Sequence, residues 1–318
     1  MRTKLFYYFK AVCQFLYPGS LCRKKLHNIL QKATKRADYD YILERVSYYN
    51  KMASAGYDDS TDEETTTIKD FRWQSKKWFS TYFCDCYEYI RYFCPALKFR
   101  YLFGDVNKTL LVPTIVKARP IHIDNSNSVI LNLNKYRHFY FIKDTIPFIK
   151  KQDKLIFYSA LTILPHRIDF MRKFFDNPLC LCRCYKSSDT IPTGWVAPKI
   201  SIKEHLKYKF VLALEGNDVA TCLKWVMSSN CIAVMPKPTN ESWFMEGRLI
   251  PDFHYIEIKK DYSDLIDKLN YYIKNPKEAE QIIKNANAFV NQFKDKKREK
   301  IISLLVIDKL FKEQINIL

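Results

Sequence analysis

Two rhythms of apolar and polar residues divide this chain. From about residue 150 onward, short apolar runs alternate with amphipathic stretches. Residues 155–161 (LIFYSAL), 209–214 (KFVLAL) and 231–235 (CIAVM) read as buried strands, and residues 179–184 and 255–258 as shorter ones. Between and after them, residues 165–175, 219–228, 241–248, 263–274 and 276–293 read as helices, with Pro276 suited to a first helical position after Asn275. Strand–helix alternation of this kind predicts a parallel sheet covered on both faces.

The first half is less regular. Residues 40–52 predict a helix through Ile42, Val46 and Tyr49, and a second helix runs from near Trp78 to Phe93, stopping before Pro95. Residues 58–67 (DDSTDEETTT) are acidic, lack an apolar anchor and read as a loop. Short strands are expected at 129–133 and 139–142, and the polar run 150–154 (KKQDK) as a linker. The last segment, 299–312, places Ile301, Ile302, Leu305 and Leu310 at helical spacing and needs a surface to pack on. The expected organisation is a domain over 1–150, to which residues 294–318 return as a C-terminal helix, and an α/β domain over 151–293. A ligand crevice is expected between them, at the carboxyl ends of the parallel strands.

Composition narrows the class. The length of 318 residues suits two domains, and 47% hydrophobic with 15% aromatic residues excludes disorder for most of the chain. The apolar runs fall far short of the roughly 18 residues of a spanning helix. The N-terminal MRTKLFYYFK is basic and aromatic, but Lys10 and Gln14 interrupt it and no cleavage site follows, so a cytoplasmic location is expected. The ten cysteines form no C-x-x-C pair; Cys180, Cys182 and Cys184 alternate and would share one strand face, and the set reads as reduced core thiols with no metal.

A net charge of +18 favours anionic partners: nucleic acid, anionic lipid headgroups or phosphorylated substrates. No helix-turn-helix, RNP-type or zinc-finger pattern appears, which argues against nucleic acid. Aromatics interleave with the charges at residues 7–10 and 89–93, a pattern that fits a membrane interface as well as base stacking.

Candidate chemistry concentrates in residues 207–224 (KYKFVLALEGNDVATCLK). A strand ends at Glu215-Gly216-Asn217 and a helix is expected from about Asp218. Gly216 can make a tight turn, Asn217 or Asp218 can cap the helix, and free N–H groups there suit a phosphate. No G-x-G-x-x-G or Walker sequence is present.

Residues 207–255 resemble the C-terminal half of glycosyltransferase family 90. The resemblance rests on Lys207-Tyr208-Lys209, on Glu215-Gly216-Asn217-Asp218-Val219-Ala220-Thr221, on Trp243-Phe244, and on Leu249-Ile250-Pro251-Asp252-Phe253-His254-Tyr255. EGNDVAT, MPKPT and WFMEG are most similar to the bacterial lipopolysaccharide branch. It extends more weakly to residues 103–107 (FGDVN), 117–121, 137–139 and 165–168.

The resemblance implies a GT-B type fold, two Rossmann-like domains facing a cleft. It implies inverting transfer of a hexose, glucose or galactose, from a UDP-sugar to a lipopolysaccharide or lipooligosaccharide core acceptor, with no metal or other cofactor. Asp105 is the implied general base. The implied donor-binding set is Tyr208, Glu215, Gly216, Asn217, Asp218, Val219, Ala220, Thr221, Lys224 and Arg167, with Lys117, Arg119, His166 and His254 as further candidates. A lipid acceptor implies an anionic membrane surface as partner and a peripheral position on the inner face of the inner membrane.

Two cationic positions depart from the family. An expected Arg-Gly pair reads Tyr158-Ser159, and the arginine that the eukaryotic branch carries near Cys222 is missing. Lys224, Arg167, Lys117 and Arg119 are the available substitutes. The rival readings are a catalytically inactive nucleotide-sugar-binding member and a basic nucleic-acid-binding protein.

Overall fold

A computed structural model describes residues 4–52, 65–73, 80–160, 164–186 and 191–315. The chain begins α1 (Lys4–Leu16), α2 (Gly19–Ala33), α3 (Tyr39–Tyr49), β1 (Thr66–Thr67), α4 (Ile68–Trp73), α5 (Thr81–Ile90), β2 (Lys98–Phe99), β3 (Tyr101–Leu102), β4 (Thr114–Val116), β5 (Ala118–Pro120), β6 (Ser128–Ile130) and α6 (Lys135–His138). It continues β7 (Gln152–Ser159), α7 (Pro165–Phe174), β8 (Cys180–Cys184), α8 (Ile202–His205), β9 (Tyr208–Leu212), α9 (Leu223–Met227), β10 (Ile232–Met235), β11 (Asn240–Ser242), β12 (Ile256–Glu257), α10 (Leu265–Lys274), α11 (Pro276–Asn291) and α12 (Lys296–Ile315). It is a mixed α/β protein with parallel sheets. Two units separate: Met1–Phe139 with Thr239–Glu246 and Phe293–Leu318, and Tyr140–Pro238 with Gly247–Gln292.

The second unit holds a five-stranded sheet in the order β12-β10-β9-β7-β8, with every pairing parallel. Successive strand side chains point to opposite faces. Leu155 and Phe157, Phe210 and Leu212, and Ile232 and Val234 join one core with Phe170 and Met171 of α7 and Leu265 and Leu269 of α10. Ile156, Val211 and Ala233 face the other way and are buried too. That double burial is why these strands read as unbroken apolar runs. The chain steps from β7 outward to β8, then returns to the other side of β7 as β9 and proceeds to β10 and β12. The strand order therefore reverses between β7 and β9.

The first unit has shorter strands than a regular doubly wound domain. Its parallel sheet, β3-β4-β6, is built from strands of two or three residues, and β5 pairs antiparallel with β11. The last helix, α12, packs on α3, α5 and α2. Arg45 of α3 meets the Glu299 carboxylate of α12, and Glu299 also accepts from the Trp243 indole at 2.6 Å. Trp243 stacks on Tyr49 with ring centroids 4.0 Å apart. Trp243 and Phe244 are thus core residues.

Four local expectations are corrected. The polar run 150–154 is no linker: Lys151 is buried against Asp144, and Gln152 opens β7. Residues 139–142 form no strand; Phe139 packs on the Phe293 ring, and the Ile142 N–H bonds the Ser228 hydroxyl instead of a neighbouring strand. The helix expected over 241–248 is broken by Met245 at φ 56°, a left-handed conformation unfavourable to a side chain with Cβ, and residues 240–242 pair as β11. The helix expected over 219–228 shrinks to Leu223–Met227, because the Gly216 N–H bonds the Asp218 carbonyl and closes a turn ahead of it. Trp78, Leu161 and the acidic residues 58–64 lie outside the described residues.

Candidate active site

In an open α/β sheet the ligand position is the crevice at the carboxyl ends of the strands, where the strand order reverses. Here that point lies between β7 and β9, and Arg167 bridges it. Arg167 sits in the first turn of α7. It donates from Nη1 to the Ser159 hydroxyl at the end of β7 (3.0 Å). It also donates from Nε to the Glu215 carbonyl (3.0 Å) and from Nη2 to the Leu214 carbonyl (2.9 Å), both just beyond β9. His166 places Nε2 3.0 Å from the Glu215 carbonyl; a carbonyl only accepts, so Nε2 carries the proton.

Burial pulls the Arg167 guanidinium below its ordinary value, with Cys222, Tyr185 and Tyr262 acting the other way. Among the described residues no carboxylate pairs with it. A desolvated cation bonded to two carbonyls and a hydroxyl is electrostatically incomplete, and an anion would complete it.

The turn that follows is compact. Asn217 is exposed, Glu215, Gly216 and Thr221 are half-buried, and Asp218, Val219 and Ala220 are buried. Gly216 does not have a left-handed backbone, and an added Cβ would stand 3.5 Å from Arg167 Nη2, an ordinary contact. The turn therefore does not require glycine for its own conformation. Lys224 is buried in α9. The five residues of α9 begin too late to present N–H groups at Gly216–Val219, so the expected helix-end cradle is replaced by a turn.

In the first unit, β3 and β4 are parallel neighbours with Leu102 opposite Val116. Asp105 and Lys117 follow from their carboxyl ends and meet, Lys117 Nζ donating to Asp105 Oδ1 at 2.8 Å. The lysine side chain is 3% exposed and the aspartate 37%, so a buried cation holds a solvent-facing carboxylate. Gly104, at φ 120°, supplies a backbone that other residues rarely adopt just before Asp105.

Three predicted residues fall elsewhere. Tyr208 lies at the amino end of β9, opposite Gln152; Glu215 is seven positions further on, about 23 Å along an extended chain. His254 precedes β12, also at the amino end of the sheet. Its Nδ1 accepts from the Ile250 N–H at 2.9 Å, and burial lowers its pKa, as for a structural imidazole. Arg119 is fully buried; it donates to Glu241 at 2.8 Å and to the carbonyls of Tyr48 and Ser128, which fastens β5 to β11. Sequence reasoning did not single out Ser159 as a partner for Arg167. The signal was there in the departure from Arg-Gly at that position. Among the described residues, no three His, Cys, Asp or Glu side chains gather as metal ligands would.

A doubly wound α/β unit with its polar groups gathered at the strand-order reversal defines an enzyme-type ligand fold, and comparison with known proteins makes it specific. The pattern of Glycosyl transferase family 90 matches residues 160–302, which start one residue after β7 and run into α12. The chain is 37% identical over 270 residues to O-glucosyltransferase LpsA of Dichelobacter nodosus, covering 85% of this chain and 82% of that protein. It is also 32% identical over 118 residues to Uncharacterized protein 179R of Invertebrate iridescent virus 6, covering 34% of this chain and 10% of that protein. The chain belongs to glycosyl transferase family 90 and is a glycosyltransferase.

Proposed function

We propose that the protein is an inverting, GT-B type glycosyltransferase that moves a hexose from a UDP-sugar to a lipopolysaccharide-type core acceptor, without a metal. The observation that carries the donor half is Arg167, a cation with no carboxylate partner among the described residues, at the β7–β9 reversal. It takes over the neutralising role of the family arginine whose position now reads Tyr158, because its guanidinium reaches the hydroxyl of the adjoining Ser159 at the end of the same strand. Its N–H groups, with those of the Glu215–Thr221 turn, stabilise charge on the departing diphosphate. Lys224 adds a nearby positive charge.

Asp105 takes the proton of the acceptor hydroxyl as the new glycosidic bond forms. Lys117 positions that carboxylate and leaves it partly open to solvent and acceptor. The bacterial O-glucosyltransferase relative supports glucose as the first sugar to try; the lipid-borne acceptor, and with it work at an anionic membrane surface on its cytoplasmic side, rests on the resemblance to the bacterial lipopolysaccharide branch.

Calorimetric titration with UDP, followed by a screen of UDP-hexoses on lipooligosaccharide acceptors read by mass shift, tests the reading. Asp105→Asn is expected to lower turnover by about 100- to 10,000-fold and keep UDP affinity. Unchanged turnover removes Asp105 from the role. Chelation by EDTA is expected to leave turnover unchanged.

A further inference from the structure

Helix α1 has one bonded face and one bare one. Its inner face lies on α5: the Tyr7 hydroxyl donates to Asp85 at 2.8 Å, Gln14 donates to Glu88 at 3.0 Å, and the Phe15 and Tyr87 rings pack at 5.6 Å. On the other side, Leu5, Phe9, Val12 and Leu16 recur at helical spacing. At 100° per residue they fall within an arc of about 60°. They are 81%, 64%, 37% and 72% exposed. An apolar stripe of this length on a soluble surface marks an interaction face.

The surrounding charge says what kind of partner. The first 37 residues contain nine Lys or Arg and no Asp or Glu, half of the net +18. Lys4 lies on α1, where Lys10 is ion-paired to Glu88 on the inner side, and the exposed Lys24 and Lys25 lie on α2, beside the exposed Leu21. A protein groove would use the stripe but would not need so one-sided a charge. A bilayer with anionic headgroups uses both, apolar side chains entering the acyl boundary while ammonium and guanidinium groups meet phosphates. The longest of these elements is 15 residues, and among the described residues no helix is long and apolar enough to cross a membrane.

The geometry points to α1 and α2 as a docking surface for an anionic lipid bilayer, with α1 lying in the interface plane, stripe inward. This rests on the lipid-borne acceptor of the proposed function, but not on the donor chemistry or on Asp105.

The test is co-sedimentation of the full chain with phosphatidylcholine vesicles, with and without phosphatidylglycerol. Binding is expected only to the anionic vesicles and should weaken as salt is raised. The triple variant Leu5→Glu, Phe9→Glu, Leu16→Glu is expected to lose at least about tenfold in partitioning. Arg23→Ala, Lys24→Ala, Lys25→Ala should lose about fivefold per charge removed. Both variants should keep the far-UV circular dichroism and UDP affinity of the parent.

A parent protein that ignores anionic vesicles, or a triple variant that binds them undiminished, overturns the proposal. So does a parent dimer in sedimentation velocity that the triple variant abolishes, since the stripe would then be a self-association face. Transfer to a water-soluble, delipidated acceptor separates the two readings. If it proceeds while vesicles are ignored, only the docking surface falls; if vesicles are bound and no UDP-sugar is used, only the donor reading falls.

Discussion

Arg119 is fully buried and Arg167 half-buried, and what surrounds each decides what it does. Arg119 has Glu241 as a countercharge and carbonyls on its remaining donors, so the pair is closed. Removing one member strands the other as a buried charge. Glu241→Gln should therefore destabilise the protein by about 3–5 kcal/mol, read as a lower midpoint in urea unfolding. Among the described residues Arg167 bonds neutral acceptors only, so its charge is available. Arg167→Ala should weaken UDP binding by about 10- to 100-fold, the range for hydrogen bonds to charged groups. Gly216 separates structural from ligand demands in the same turn. Gly216→Ala should leave the unfolding midpoint nearly unchanged, because the backbone there suits any residue and the added methyl meets Arg167 at an ordinary distance. A fall in UDP affinity with stability intact would show that the ligand, not the turn, needs the glycine.

Between elements, the start of α12 is tied to the start of α3 by a small charge cluster. Arg36 donates to Asp38 at 2.6 Å, Arg298 donates to Asp38 at 3.2 Å, and Arg36 also reaches Asp295 at 3.2 Å. The Arg36 hydrogen bond, helped by Arg298, holds the Asp38 carboxyl down at about 2, below the ordinary aspartate range. Asp295 is lowered as well, chiefly by the Arg298 N–H. A depressed folded-state pKa means stability that is fully present above the unfolded value and lost as pH falls toward the folded one. The protein should therefore lose stability between about pH 4 and pH 2, and Asp38→Asn should flatten that limb. The groups are partly exposed, so the effect should be about 1 kcal/mol or less, checked by urea midpoints across that range.

At this scale the apolar runs of β7, β9 and β10 could be read directly, because strands buried on both faces have no polar alternation to confuse them. The segments at 219–228 and 241–248 could not. Their periodicity is helical, but a hydrogen bond from Gly216 to Asp218 and a left-handed Met245 stop the helices, and an apolar period carries no signal for either.

For the molecule as a whole, the chain leaves the first unit at Phe139, returns for Thr239–Glu246, and returns again at Phe293. The last return brings Glu299 to Arg45 and to Trp243, and buries Ile302, Val306, Ile307 and Leu310. Ending the chain at residue 295 should therefore abolish cooperative unfolding of the first unit, seen as loss of the near-ultraviolet circular dichroism of the Tyr49–Trp243 stack.

Local order alone determined the α/β class, the parallel second unit, the family, and the segments that carry Asp105 and the Glu215–Thr221 turn, because hydrophobic period and motif spacing are properties of neighbouring residues. Tertiary structure alone decided which charges are already used. It closed Arg119 on Glu241, settled His254 into a structural bond, set Tyr208 at the far end of its strand, joined Lys117 to Asp105, and bonded Arg167 to Ser159 and to the Leu214 and Glu215 carbonyls. Pairing across 8 to 122 residues depends on where the sheet and helices bring side chains together, and no local pattern encodes that distance.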